Sequence, residues 1–279
     1  MSRQCAFSPH DQKMKLFFQK YQGAGNDFII LDNRERLYDA LTTEQVNFLC
    51  DRRFGIGADG LMLLNTHAET DFEMKYFNAD GREGSMCGNG GRCLAAFAHA
   101  LGLIKDHTQF MAIDGLHEAI LKDNGWVELK MQDVSRIERN RDTAILDTGS
   151  PHYVKYMDRL AEVDVVAEGR KVRYNDRFAQ NGINVNFVEY GPDALMIRTY
   201  ERGVEDETLA CGTGITAAAI VAAGNLNQAY EIPVKARGGN LAVRFDKIDD
   251  QHYSNIWLCG PAKFVFEGTI ELEDNSMQE

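Results

Sequence analysis

The 279-residue chain has no apolar stretch near the roughly 20 residues needed to span a bilayer. Its opening residues, Met1-Ser2-Arg3-Gln4-Cys5, lack the hydrophobic core of an export signal. Clustered positive charge is missing too: 30 Lys and Arg stand against 42 Asp and Glu, a net charge of −12. That balance argues against nucleic-acid and anionic-membrane partners, because phosphate-rich surfaces need concentrated cations. The six cysteines also lack zinc-type spacing; Cys87 and Cys93 are too awkwardly placed for the usual ligand pairs. In a long chain without an export core they read as free thiols in a reducing cytoplasm. No low-complexity linker separates domains, and residues 1–13 read as a polar extension before the first strand-like run after Met14.

What the chain does contain is one motif written twice. Cys87-Gly88-Asn89-Gly90 and Cys211-Gly212-Thr213-Gly214 lie 124 residues apart, and Glu83/Glu207, Ala95/Ala219 and Ala98/Ala222 match at the same offset. Each motif runs into an apolar helix expected to stop at a left-handed glycine, Gly102 or Gly224. From Leu94 to Leu103 the only polar side chain is His99, and from Cys211 to Tyr230 no charged residue occurs. A helix apolar on nearly every face has to be buried on every face.

Short strand-like runs supply the container: Phe28–Leu31, Leu61–Leu64, Phe72–Phe77, Val185–Val188 and Leu195–Tyr200, with tail strands at Asn240–Phe245, Ile256–Cys259 and Lys263–Ile270. Asp80-Gly81, Asn124-Gly125 and Asn181-Gly182 supply turns. An amphipathic helix is expected from Thr43 to Asp51 with Thr42 as N-cap. The pattern predicts an α+β protein of two pseudo-symmetric domains, each a mixed curved sheet or barrel around a central apolar helix. The boundary falls near Met131, giving 1–131 plus 262–279 and 132–261, with the last strand returning to the first domain.

The motif carries a specific chemistry. A thiol at a helix start faces free N–H groups and the positive end of the dipole, which is expected to lower its pKa. The same amides, flanked by glycines, can hold a carboxylate. Two such sites facing one carbon would provide a thiolate base and a thiol acid on opposite faces, enough to invert an sp³ centre without cofactor or metal. A lone cysteine before a glycine turn is usually just a small buried side chain. The matched pair is not explained that way, although a structural disulfide or a redox switch stays open. Arg202 can clamp a carboxylate, and Glu201 can take an ammonium or orient a thiol. Taken alone, Glu201-Arg202 would read as a surface ion pair and Asn78-to-Gly81 as a turn.

At these residues the chain resembles the diaminopimelate epimerase family, from Met14 to about Leu272. The resemblance rests on Gly23-Ala24-Gly25-Asn26-Asp27-Phe28, Gly55-Ile56-Gly57-Ala58-Asp59-Gly60, Asn78-Ala79-Asp80-Gly81, Cys87-Gly88-Asn89-Gly90-Gly91-Arg92, Pro151-His152, Glu201-Arg202-Gly203 and Ala210-Cys211-Gly212-Thr213-Gly214. It implies a cofactor-independent interconversion of LL- and meso-2,6-diaminopimelate, serving lysine and peptidoglycan synthesis, usually as a cytoplasmic homodimer. Cys87 and Cys211 would be the acid/base thiols, with His152 and Glu201 tuning or orienting them. Gly88, Asn89, Gly212 and Thr213 would bind the reacting carboxylate, and Asn26 would lie near the reacting centre. Asn78, Asn184 and Arg202 would grip the distal end, with Glu201 on an amino group. Arg82, Ser150 and Gly60 depart from the usual pattern, where serine, asparagine and, in some members, glutamine stand. Two other readings are a proline or hydroxyproline racemase of the same superfamily, and a non-catalytic amino-acid-binding or redox-sensing protein.

Overall fold

The computed structural model describes residues 13–273, so the polar extension falls almost wholly outside the described residues. The first half runs β1 (Lys13–Gly23), β2 (Asn26–Asp32), α1 (Thr43–Cys50), β3 (Gly60–Asn65), β4 (Phe72–Asn78), β5 (Glu83–Gly84), α2 (Gly88–Ala100), β6 (His107–Ala112), β7 (Gly115–Leu121), β8 (Trp126–Lys130) and β9 (Ile137–Arg139). The second runs β10 (Thr143–Asp147), β11 (Pro151–Tyr156), α3 (Val165–Arg173), β12 (Asn184–Tyr190), β13 (Leu195–Glu201), β14 (Asp206–Thr208), α4 (Gly212–Val221), β15 (Ala229–Ala236), β16 (Gly239–Lys247), β17 (Tyr253–Pro261) and β18 (Lys263–Glu273).

The pairing repeats with a shift of nine strands. β2–β3 and β4–β6 are parallel, while β1–β2, β3–β4, β4–β5, β6–β7 and β7–β8 are antiparallel. β11–β12 and β13–β15 repeat the parallel steps, and β10–β11, β12–β13, β13–β14, β15–β16 and β16–β17 the antiparallel ones. The ninth strands cross over: β9 pairs with β10, and β18 returns to pair with β1. β8 pairs with β17 and so joins the halves into one sheet.

Each curved half wraps one helix. Cys93, Leu94, Ala95, Phe97 and Ala98 of α2 are buried, as is almost all of α4 from Gly214 to Val221. Alanine suits this position, because it favours helix and keeps the rod thin enough to be enclosed. Gly102 takes a φ of +72° and ends α2 as expected. Gly224 does not: α4 stops at Val221, and the buried Lys247 ammonium donates to the Gly224 carbonyl at 2.9 Å. A side-chain cation, rather than a left-handed glycine, thus satisfies the chain just beyond that helix.

Thr42 caps α1 in a reciprocal capping box with Gln45, and the helix ends at Cys50. Helix α3 is the counterpart of α1; Asp164 caps its start, accepting from the Ala167 N–H at 3.0 Å, and Arg170, Lys171 and Arg173 stand in its last turn, but Gly169 interrupts its middle. A Cβ on Gly169 would sit 2.5 Å from Tyr200 Cβ, so close packing demands the glycine. No helix among the described residues is long and apolar enough to cross a membrane.

Candidate active site

Strand pairs β4–β5 and β13–β14 each turn the chain back toward a cysteine that serves as the N-cap of the enclosed helix. Cys87 has φ −102° and ψ 143°, and Cys211 has φ −101° and ψ 110°. The two helix starts meet head to head. A Cβ built on Gly212 would lie 3.5 Å from Gly88 Cα, and a Cβ on either glycine would lie 2.9 Å from Leu258 Cδ2. A side chain at either position would press on Leu258, and glycine leaves the two backbones in close reach of each other. The first-turn amides of α2 and α4 therefore converge on one place, as an anion site requires.

Both cysteines are free thiols, Cys211 buried and Cys87 half-buried. Gly90 N–H donates to Cys87 Sγ at 3.2 Å, and Cys211 Sγ lies 3.6 Å from Thr213 Oγ1. The expected low pKa is overturned, because burial outweighs the helix-start amides. It pushes Cys87 up to about 11, with the Gly90 amide and Arg92 pulling down and Glu201 pushing up. It pushes Cys211 up to about 12, where Glu201 adds to the rise and Thr213 opposes it.

A cleft of about 890 Å³ opens beside Cys87 and is lined by Asn26, Asn78, Glu201 and Arg202 among others. Asn89, Asn184, His152 and Cys211 are not part of that lining. Asn89 Nδ2 donates to Asn26 Oδ1 and, at 3.1 Å, to the Ala210 carbonyl, tying the first motif to the second. Asn26 Nδ2 donates to Asp59 Oδ2 at 2.9 Å, and Arg52 holds Asp59 at 2.6 Å. Asp59 lies inside one of the quoted motifs, but only the fold reveals its contact with Asn26.

At the far end of the cleft Asn184 and Ser150 position Arg202. Asn184 Oδ1 accepts from the Arg202 backbone N–H at 2.9 Å, and its Nδ2 donates to Ser150 Oγ at 2.9 Å. The Arg202 guanidinium donates to the Asn181 carbonyl at 3.1 Å and to Ser150 Oγ at 3.4 Å. Arg202 forms no ion pair among the described residues, so its charge is available to a ligand. Glu201 does not pair with it either. Its carboxylate accepts from Thr208 Oγ1 at 2.7 Å, and burial raises its pKa.

Gly60 is explained by Tyr76. A Cβ at 60 would come within 2.5 Å of Tyr76 Cε2, so the tyrosine ring fills the space that a longer side chain would take. Tyr76 lines the cleft and was not evident from the sequence.

His152 is fully buried, and burial pushes its pKa down to about 3, with Arg202 adding to the effect. It stays neutral and adds no titration between pH 5 and 8. Its tautomer can be derived. Asn186 Nδ2 donates to the Tyr153 carbonyl at 3.2 Å, while Asn186 Oδ1 accepts from Thr199 Oγ1. The nitrogen of Asn186 therefore faces His152 Nδ1 at 3.1 Å, leaving the proton on Nε2. That buried Nε2 has no partner among the described residues. Asn186 also explains Gly214, where a Cβ would lie 2.3 Å from Asn186 Oδ1.

The sequence profile of the family described as diaminopimelate epimerase matches residues 18–137 and 144–265. The chain belongs to the diaminopimelate epimerase family. A relative of that name from Flavobacterium psychrophilum is 51% identical over 260 residues, covering 92% of this chain and 100% of its own. One from Chlorobaculum tepidum is 46% identical, covering 90% and 99%. Among solved structures, a phenazine biosynthesis protein of the PhzF family from Bacillus anthracis superposes with a TM-score of 0.68 at 15% identity, covering 92% and 99% of the two chains. A hydroxyproline epimerase from Agrobacterium vitis superposes at 0.63 with 14% identity, covering 94% of each. At these identities the likeness shows the shared two-domain fold, which the family model and the strand repeat also describe.

Proposed function

We propose that this member of the diaminopimelate epimerase family interconverts LL- and meso-2,6-diaminopimelate by two-base proton transfer between Cys87 and Cys211. The observation that carries the reading is the head-to-head meeting of two helix starts, each capped by one of these cysteines. One sulfur, as thiolate, removes the α-proton. The other delivers its S–H proton to the opposite face, so configuration inverts and the charge moves from one sulfur to the other. The carboxylate beside the reacting carbon sits against the first-turn amides at Gly88, Asn89, Gly212 and Thr213. Those donors strengthen as charge develops on its oxygens. Enclosure keeps water from competing.

Arg202, backed by Asn184 and Ser150, takes the distal carboxylate. Asn78 lies beside it on the cleft wall, and Glu201 takes an ammonium. An ammonium at Glu201 neutralises the charge that adds to the effect of burial on both thiols, so substrate itself favours one thiolate in the pair. A cyclic proline-type substrate carries no distal charge for Arg202, and this disfavours the racemase reading.

We place the enzyme in the cytoplasm, which cell fractionation checks. We assign the two lobes to 1–131 plus 262–279 and to 132–261, closing on substrate as units; limited proteolysis near Met131 tests that division. A homodimer is supported by β18, which among the described residues is paired on one side only and exposes Phe264, Val265 and Phe266, while its partner β1 exposes Phe17. Sedimentation equilibrium is expected to return a dimer, and a monomer at micromolar concentration contradicts it.

The activity itself is tested by turnover of the LL isomer in deuterium oxide. The meso product is expected to carry one deuterium, at the inverted carbon. Inversion without deuterium uptake overturns the proton-transfer reading, and turnover of proline overturns the substrate assignment.

A further inference from the structure

Arg92 is the largest fully buried side chain described, at 0% exposure, and no carboxylate lies within ion-pair distance of it among the described residues. It sits in the second turn of α2. Its Nη1 donates to the Gly88 carbonyl at 3.1 Å and its Nη2 to Asn89 Oδ1 at 2.7 Å, while its Nε has no partner among the described residues. Space for the group is left by Gly260, where a Cβ would lie 3.3 Å from Arg92 Cζ. A guanidinium stays protonated even when burial opposes it, so this is a permanent positive charge in the interior. Buried charges without counter-ions are rare and call for a reason.

A purely mechanical reason is insufficient. Anchoring Asn89 needs one donor and bonding the Gly88 carbonyl needs another, and a neutral amide of similar reach supplies both at a smaller desolvation cost. The anions that can form nearby are thiolates. The guanidinium bonds the carbonyl of Gly88, the residue that follows Cys87, and its charge also reaches Cys93 and Cys259; of the three thiols only Cys87 lines the cleft. Among the described residues the second lobe has no equivalent: around Cys211 the acting charges are Glu201 and Cys87, both of which oppose ionisation. The motif repeat also breaks here, since Thr216 occupies the position 124 residues after Arg92.

We propose that Arg92 is a positioning residue that serves as the buried counter-charge of the Cys87 thiolate, so that the first proton lost by the thiol pair leaves Cys87 rather than Cys211. The inference rests on the two-base reading and makes the pair unequal. An isomer presenting its α-hydrogen to Cys87 meets the base directly. After that turnover Cys87 holds the proton and Cys211 the charge. The proton must pass back to Cys211 before the next turnover in the same direction.

The test is alkylation of the full-length, substrate-free protein with iodoacetamide across pH, reading Cys87 and Cys211 separately by peptide mass spectrometry. In the wild type, Cys87 is expected to react with a midpoint below that of Cys211. Arg92→Met is expected to raise the Cys87 midpoint by about one unit or more and to leave Cys211 within a few tenths. A Cys211 midpoint at or below that of Cys87 in the wild type overturns the proposal. So does a folded Arg92→Met that shifts both midpoints equally or neither. Should Arg92→Met not fold, the wild-type order alone decides. Failure of the two-base reading has a different signature: full turnover by Cys87→Ala or Cys211→Ala, whatever the alkylation midpoints.

Discussion

Cys211→Ala is expected to lower kcat for inversion by about 10²- to 10⁴-fold, the range for loss of a positioned acid or base, and Cys87→Ala to do the same. The two variants should differ in what survives. With one sulfur gone, the carbanion can be reprotonated only by the base that formed it. Residual exchange of the α-hydrogen with solvent therefore retains configuration, and each variant exchanges the isomer that faces its remaining thiol. Both replacements are small-to-smaller changes at helix N-caps, and Cys211 makes no capping hydrogen bond. Folding is therefore expected to persist, and circular dichroism should show it. Near-normal inversion in either variant is incompatible with two bases. Exchange of both isomers by the same variant would mean that one thiol reaches both faces.

Arg202→Met carries the second largest effect. A charge-assisted contact contributes about 1.5–3 kcal/mol, or roughly 10- to 150-fold. Because the distal carboxylate takes no part in the reaction, the loss should fall mainly on KM, with kcat changed much less. An analogue without the distal carboxylate supplies the control. Wild type should handle it as poorly as Arg202→Met handles the full substrate, and Arg202→Met should lose little more. A variant that loses the same factor on both compounds would assign Arg202 to holding Asn181 and Ser150 rather than substrate.

The core of the site was legible in the residues because it depends on local rules. A cysteine before a glycine-rich helix start sets the N-cap, and an apolar stretch of ten or more residues fixes an enclosed helix. The repeat at 124 residues put two of these in one molecule. Helix α3 was obscured by Gly169, whose reason lies in Tyr200, a residue distant in sequence. The thiol pKa values were misjudged for a similar cause: the helix-start amides are local, whereas the burial that outweighs them belongs to the folded whole. Gly224 looked like a helix stop, and the ammonium that satisfies its carbonyl comes from Lys247 on another strand. Asp59, Tyr76, Ser150 and Asn186 each gain their role from a partner on a separate element. Arg92 stood in plain view within the first motif, yet its missing counter-ion is a property of packing alone.

The central claim is that two sulfurs flank one carbon. A structure of the closed protein with a non-reactive diaminopimelate mimic tests it directly. The account predicts the α-carbon between Cys87 Sγ and Cys211 Sγ, about 3.5 Å from each and on opposite faces, with its carboxylate on the amides of α2 and α4. Sulfurs that approach the same face, or a Cys211 that points away from the ligand, would contradict it.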